Sequence, residues 1–321
     1  MKILITGGSG VIGWNLFEFL KNKNNDVSFT FNKNKINHEG NFLDITNEEN
    51  TISLIIKINP DIVIHSAALA NVDLCERNKK LADEINVSGT HNVIKGCEKI
   101  DSKIIYISTS FVFSKSNNAY TETDIPSNPG TYYGMTKLEA EKLILKSNLK
   151  SLILRIDQPY FWKKSWQRTN SVLRVIEALS KKQNLKEVTD WFNVPTYIPD
   201  FLFATHELIK RNHTGIFHLT GPNFLSRFEW ALKTAEVFGL DSKLLIPIKS
   251  DQLKLDAKRD NINLNNKKIQ EKTGVKMRGV TEGLLDMQKI GFRDSVPDSF
   301  QLGLKLKNKK NQLDEKVNDK I

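Results

Sequence analysis

Short apolar runs alternate with longer amphipathic stretches through the first half of the chain. Residues 3–5 (ILI), 27–31 (VSFTF), 61–65 (DIVIH) and 103–108 (KIIYIS) have the length and β-branched content of buried strands, and a brief one ends near Phe42. Between them apolar positions recur at helical spacing: from Val11 onward, over 48–58 up to the break at Pro60, and over 81–98. No hairpin signal interrupts this alternation, so it predicts an α/β fold: a Rossmann-type, doubly wound parallel sheet over residues 1–155. Ligands of such sheets sit at the carboxyl ends of the strands.

Beyond residue 155 the pattern loosens. A smaller C-terminal α/β substrate lobe is expected from residues 156–189 and 213–300, with 190–212 returning to the first domain. Residues 227–238 read as an amphipathic helix stopped by Gly239, packed beside the substrate pocket. Residues 304–321 (LKLKNKKNQLDEKVNDKI) are rich in charge and poor in apolar side chains, the composition of a disordered tail. Trp162, Trp166 and Trp191 are read as core more readily than as stacking platforms.

The chain has 321 residues, enough for a large core, and a net charge of +10. Its lysines lie among asparagines and are not interleaved with aromatics, so a surface favouring anionic substrates is expected and nucleic acid is not. No apolar run reaches membrane-spanning length and a strand begins at residue 2, so no membrane association and a cytoplasmic location are expected. Cys75 and Cys97 show no metal spacing and are expected as reduced thiols, with no metal site.

The first strand breaks into Thr6-Gly7-Gly8-Ser9-Gly10-Val11-Ile12-Gly13. Gly7 permits the tight turn, Gly10 lets backbone approach a diphosphate, and Gly13 lets the helix pack close to the strand. The N–H groups around Val11 and Ile12 open that helix toward an anion. Where an NAD-binding chain places a carboxylate at the end of its second strand, this one has Asn32-Lys33-Asn34-Lys35. Lysines there attract a ribose 2′-phosphate, so NADP(H) is favoured, with NAD(H) as the alternative. The strand ending at His65 runs into Ser66-Ala67-Ala68, whose small side chains leave room for a cofactor. His65 itself reads as a packed histidine.

Tyr133 and Lys137 stand four positions apart in YYGMTK, ahead of a helix over 138–146, so they share one helical face; Tyr132 does not. An adjacent ammonium is expected to depress the Tyr133 pKa and ready it for proton transfer near neutrality. Thr109, at the end of the strand starting at Lys103, supplies a hydroxyl for a reacting carbonyl oxygen.

These segments resemble the extended short-chain dehydrogenase/reductases and, among them, the dTDP-4-dehydrorhamnose reductase family. The likeness runs through the glycine loop, LDITN (43–47), SAALANVDLCE (66–76), INVSGT (85–90), STSFVF (108–113), ETDIPSNPGTYYGMTKLEAEK (122–142) and LILRI (152–156), and continues more weakly through DWFNVPT and IFHLTGP. The resemblance implies Thr109, Tyr133 and Lys137 as catalytic residues. It implies a cofactor set of Gly7, Gly10, Val11, Ile12 and Gly13 on the pyrophosphate, Asp44 and Ile45 on the adenine, and Ala67, Ala68 and Leu69 at the strand end. Asn86, Tyr133 and Lys137 complete that set, with Asn32 and Lys33 from the reading above. The implied reaction is NADPH-dependent reduction of a nucleotide-linked 4-keto-6-deoxy sugar at C4, in nucleotide-sugar metabolism, with a homodimer as one arrangement of the protein. Two alternatives stay open: an NAD-dependent sugar-nucleotide epimerase, and a non-catalytic nucleotide-binding subunit like the beta subunit of methionine adenosyltransferase. A 4,6-dehydratase is disfavoured because Ser110-Phe111 stands where that family has an Asp-Glu pair.

The chain departs from the reductase pattern on the substrate side. Ser110 replaces the Asp that follows the threonine, and Leu69 replaces a His. Ile156-Asp157-Gln158-Pro159-Tyr160 stands in place of a Thr-Ser-Trp-Val-Tyr-like run, and Lys258-Arg259-Asp260 in place of an Arg-Pro signature.

Overall fold

The computed structural model describes residues 1–33, 40–115 and 118–291. Asn34 and Lys35, and the charged tail from 304, lie outside the described residues. The chain lays down β1 (Lys2–Thr6), α1 (Val11–Lys21), β2 (Asp26–Phe31), β3 (Asn41–Phe42), α2 (Glu48–Ile58), β4 (Ile62–His65), α3 (Val72–Arg77), α4 (Lys79–Asp83), α5 (Gly89–Ile100), β5 (Lys103–Thr109), α6 (Tyr132–Lys146) and β6 (Ser151–Ile156). There follow α7 (Ser171–Ser180), β7 (Leu185–Val188), β8 (Phe192–Asn193), α8 (Ile198–Lys210), β9 (Gly215–His218), β10 (Leu225–Ser226), α9 (Arg227–Phe238), β11 (Leu245–Ile248), α10 (Lys267–Thr273) and α11 (Val280–Ile290).

Seven strands form one sheet in the order β3-β2-β1-β4-β5-β6-β9, every pair parallel. This is the expected Rossmann-type doubly wound sheet. Its two faces are covered separately: Ile3, Ile5, Ile64, Ile105 and Leu154 face α1 and α8, while Leu4, Val63, Ile104, Tyr106 and Ile153 face α2, α5 and α6. Strands buried on both faces explain the unbroken apolar runs in the sequence. β9, expected in the lobe, pairs with β6 and is the seventh strand of this sheet. The stretch expected as one helix over 81–98 runs from α4 to α5 through a π-helical turn at Glu84–Ser88.

The second core gathers Tyr160, Trp162, Leu173, Trp230, Leu284 and Met287 from α7, α9, α11 and the loop after β6. A two-stranded parallel ribbon, β7 with β11, flanks it. Trp162 is buried there and donates its indole N–H to the Met287 carbonyl at 3.0 Å, so it is a core tryptophan. Arg259 joins the two parts, donating to both carboxylate oxygens of Asp73 on α3 at 2.9 and 2.6 Å. Among the described residues no helix is long and apolar enough to cross a membrane, and no cluster of His, Cys, Asp and Glu is arranged to hold a metal.

Candidate active site

The carboxyl ends of β1, β4, β5 and β6 open into a cavity of about 530 Å³. Val11 and Ile12 line it from α1, Ser66 and Ala68 from beyond β4, and Thr109 from β5. Tyr133 and Lys137 line it from α6, and Asp157 and Gln158 from beyond β6.

The glycine loop is shaped by close approach. Gly7 adopts φ +68°, and a Cβ there would lie 2.7 Å from the Ala67 backbone; one on Gly13 would lie 2.5 Å from the Gly7 carbonyl oxygen. Only glycine satisfies both contacts, which brings the start of α1 down onto the β1 and β4 ends. Gly10 caps α1 in an extended conformation with no side-chain cap bond, leaving the first helical N–H groups open toward the cavity edge. The loop is also held from the second lobe. Trp166 donates its indole N–H to the Ser9 carbonyl at 3.3 Å, and the Gln167 amide donates to the Gly10 carbonyl at 3.2 Å. Trp166 packs edge-on against Trp14 at 5.4 Å, as a core residue would.

At the β2 and β3 ends, Asn32 and Lys33 meet Asp44. Partial burial works against the Asp44 carboxylate, but bonds from the Thr46 N–H and hydroxyl and from Asn32, with the Lys33 charge, hold its pKa low. Ile45 is buried beneath α5. Ala67 packs against the core, and neither it nor Leu69 lines the cavity. Asn86, in the π-helical turn, accepts from the Leu69 N–H at 2.8 Å and donates to the Leu69 carbonyl at 3.2 Å and to Thr136 at 3.0 Å. Its amide thus fixes the backbone beyond β4 without facing the cavity. His65 is buried with one ring nitrogen 2.7 Å from the Thr6 hydroxyl and the other 3.0 Å from Thr90; burial lowers its pKa to about 3. It is the packed, neutral histidine expected.

Helix α6 begins earlier than its apolar period suggested, capped by the Thr131 hydroxyl, which accepts from Gly134 N–H at 3.1 Å. A Cβ on Gly134 would lie 2.0 Å from the Phe111 carbonyl oxygen, so the glycine beside Tyr133 lets the helix start rest on the end of β5. Tyr133 is thereby half-buried, and it shares the cavity with the Thr109 hydroxyl. Tyr132 points elsewhere and donates to Asp83 at 2.7 Å. Lys137 is buried, donates to the Ile107 carbonyl at 2.7 Å and sits 3.9 Å from the centre of the Tyr106 ring.

The expected depression of the Tyr133 pKa is overturned. Desolvation raises it, Cys75 and Asp157 add to the rise, and the nearby Thr109 hydroxyl offsets only part. Burial instead acts on the lysine, taking Lys137 down to about 7 against the opposing pull of Glu141. Spacing alone placed the two side chains on one face but ignored the loss of water around both.

The arginines of the far wall were not read from the sequence. Arg168, Arg174 and Arg227 line the cavity with Gln158, whose amide oxygen accepts from Arg227 at 2.9 Å. Arg174 is paired with the buried Glu187. Burial brings Arg227 down to about 10, and Trp191 lies under its guanidinium at 5.1 Å. Neither Trp191 nor Arg259 lines the cavity. Glu141 accepts from Arg155 and from the Ser108 hydroxyl at 2.5 Å.

Fold and site together define a Rossmann-type α/β protein with a second lobe closing over the strand ends. The model of the RmlD substrate binding domain matches residues 1–290, and the chain belongs to that family. Methionine adenosyltransferase 2 subunit beta of Mus musculus is 30% identical over 257 residues, covering 77% of this chain and 75% of that protein. A dTDP-4-dehydrorhamnose reductase of Aggregatibacter actinomycetemcomitans is 30% identical over 238 residues, covering 72% and 77%. Among solved structures, the dTDP-4-dehydrorhamnose reductase of Bacillus anthracis in complex with NADP superposes with a TM-score of 0.81 at 26% identity, over 91% of this chain and all of that one.

Proposed function

We propose that the protein is an NADPH-dependent reductase of a nucleotide-linked 4-keto-6-deoxy sugar. The observation that supports this best is that Thr109, Tyr133 and Lys137 line one cavity together with the start of α1. The cradle fits a dinucleotide: Gly7 and Gly13 tolerate no side chain, and α1 opens with unpaired N–H groups. Gly10, Val11, Ile12 and Gly13 would hold the pyrophosphate, Ala68 the strand-end side, Asp44 and Ile45 the adenine, and Lys33 with Asn32 a 2′-phosphate. Bound there, the reduced nicotinamide supplies the hydride.

The chain's own groups do the rest. The Thr109 oxygen accepts from Phe111 N–H at 3.3 Å, which leaves its O–H free to donate to the substrate carbonyl oxygen. As that oxygen takes up negative charge, the Tyr133 O–H donates its proton to it, and the alkoxide leaves as an alcohol. A raised tyrosine pKa suits a group that must hold its proton until the alkoxide forms. Lys137 uses one of its three N–H donors on Ile107 and has two for a ribose hydroxyl and for stabilising the phenolate after transfer. Arg227, Arg168 and Arg174 give the opposite end of the cavity a cationic wall for the substrate's phosphates.

The test mixes purified protein with NADPH and dTDP-4-dehydrorhamnose and follows the nicotinamide absorbance; oxidation dependent on both supports the reading. The similarity to methionine adenosyltransferase beta subunits favours a second reading, a nucleotide-binding subunit without turnover. Absence of oxidation with any 4-keto sugar nucleotide, alongside intact NADPH binding, would decide for it.

A further inference from the structure

Thr109 and Ile156 are register partners on β5 and β6, so Ser110 and Asp157 sit side by side just beyond the sheet, and Asp157 lines the cavity. Asp157 is 2% exposed and firmly placed. Its Oδ1 accepts from the Ser110 hydroxyl at 3.0 Å, and its Oδ2 accepts from Val194 N–H at 2.9 Å and from the Asn193 amide at 3.3 Å. A carboxylate offers about four acceptor positions, so these three donors leave one, on a side chain that lines the cavity. The family pattern has Asp at position 110 and a Thr-Ser run at 156–157. This chain has the same acid and hydroxyl with their strands exchanged, Ser110 on the β5 side and Asp157 on the β6 side.

We propose that Asp157 reads the sugar side of the substrate, its carboxylate accepting a hydrogen bond from a hydroxyl of a polyhydroxy ketone whose carbonyl oxygen lies between Tyr133 and Thr109. This rests on the reductase reading of the site. An acceptor with a spare position selects a donor, and near a sugar ketone the donor at hand is a hydroxyl on a neighbouring carbon. Burial holds the Asp157 pKa up near 6 against its three hydrogen bonds and the Arg227 charge, so the group gains from a further donor. Asp157 and Tyr133 line the same cavity, so one sugar ring can meet both.

The test is calorimetric titration of the full chain, with NADP present, using dTDP-rhamnose and dTDP as separate probes. Asp157→Asn is expected to weaken dTDP-rhamnose tenfold or more, the loss of a hydrogen bond to a charged group, and to change dTDP by less than twofold. Equal affinity for dTDP-rhamnose, or an equal loss on both probes, overturns the proposal. If Asp157→Asn loses its urea transition, the reciprocal Ser110→Asp/Asp157→Ser variant decides: a tenfold loss on dTDP-rhamnose with dTDP within twofold supports the proposal, and wild-type affinity for dTDP-rhamnose overturns it. Lack of turnover with a binding loss intact removes the reductase reading alone. Turnover with no binding loss removes the Asp157 assignment alone, and no binding of dTDP-rhamnose by the wild type removes both.

Discussion

Arg155 meets Glu141 in a two-pronged salt bridge, 3.0 and 2.6 Å, with both side chains 1% exposed, and Lys137 stands one helical turn from that carboxylate. The Arg155 guanidinium also lies 3.4 Å from His218 and 4.8 Å from the centre of the Phe113 ring. Breaking such a pair strands a buried charge. Arg155→Met is expected to cost about 3–5 kcal/mol in urea unfolding, and the double replacement Glu141→Leu/Arg155→Met to recover most of it.

Tyr133→Phe removes the proposed proton donor and keeps the ring beside Phe111, 6.0 Å away. Turnover should fall by roughly 10²–10⁴-fold with NADPH affinity unchanged. Steady-state rates and a fluorescence titration of NADPH check the two halves separately.

Lys137 carries a cost that depends on pH. Its folded pKa, about 7, lies below the 10.5 of an unperturbed lysine, so between those values the unfolded chain binds more protons than the folded one. Stability from this group therefore rises with pH across that window and is at its lowest below pH 7. Lys137→Met should be inactive yet more stable than the wild type at pH 7, on the order of a few kcal/mol, with the gap closing toward pH 10.5. Urea midpoints measured at pH 7, 8.5 and 10 give the comparison.

Gly13→Ala places a methyl against backbone at 2.5 and 2.8 Å, where nothing flexible yields. A loss of roughly 1–3 kcal/mol in thermal unfolding and a clear loss of NADPH affinity are expected.

Lys33 is the residue proposed to meet a 2′-phosphate. Lys33→Glu should weaken NADPH about tenfold, one charge-assisted contact, and leave NADH within twofold. Equal weakening of both would mean that Lys33 does not meet a 2′-phosphate.

The glycine loop and the strand ends were legible because each depends on local signals: small residues where backbone must approach, and apolar runs that only a doubly covered sheet buries. Tyr133 and Lys137 were legible for the same reason, a fixed spacing on one helix. What local sequence does not carry is burial. The sign of the Tyr133 shift came out opposite, because it is set by the packing of α6 on Phe111 and not by its helical neighbour. The convergence of Arg168, Arg174 and Arg227 was hidden since they lie on separate elements of the second lobe. β9 was misplaced because GIFH is a short strand after a long insertion, and only its pairing with β6 reveals it.

The β7–β11 ribbon bears on how the chain is made. β7 ends at Val188, and its only strand partner among the described residues begins at Leu245, roughly sixty residues later. At ribosomal speed that is several seconds during which β7 has an unfilled edge and α7 lacks the α9 face it packs on. The seven-stranded sheet is complete at His218, well before the ribbon closes. All seven strands of the sheet thus leave the ribosome before the ribbon's second strand does. A ribosome stalled before residue 245 would present a finished cradle with an unfinished roof.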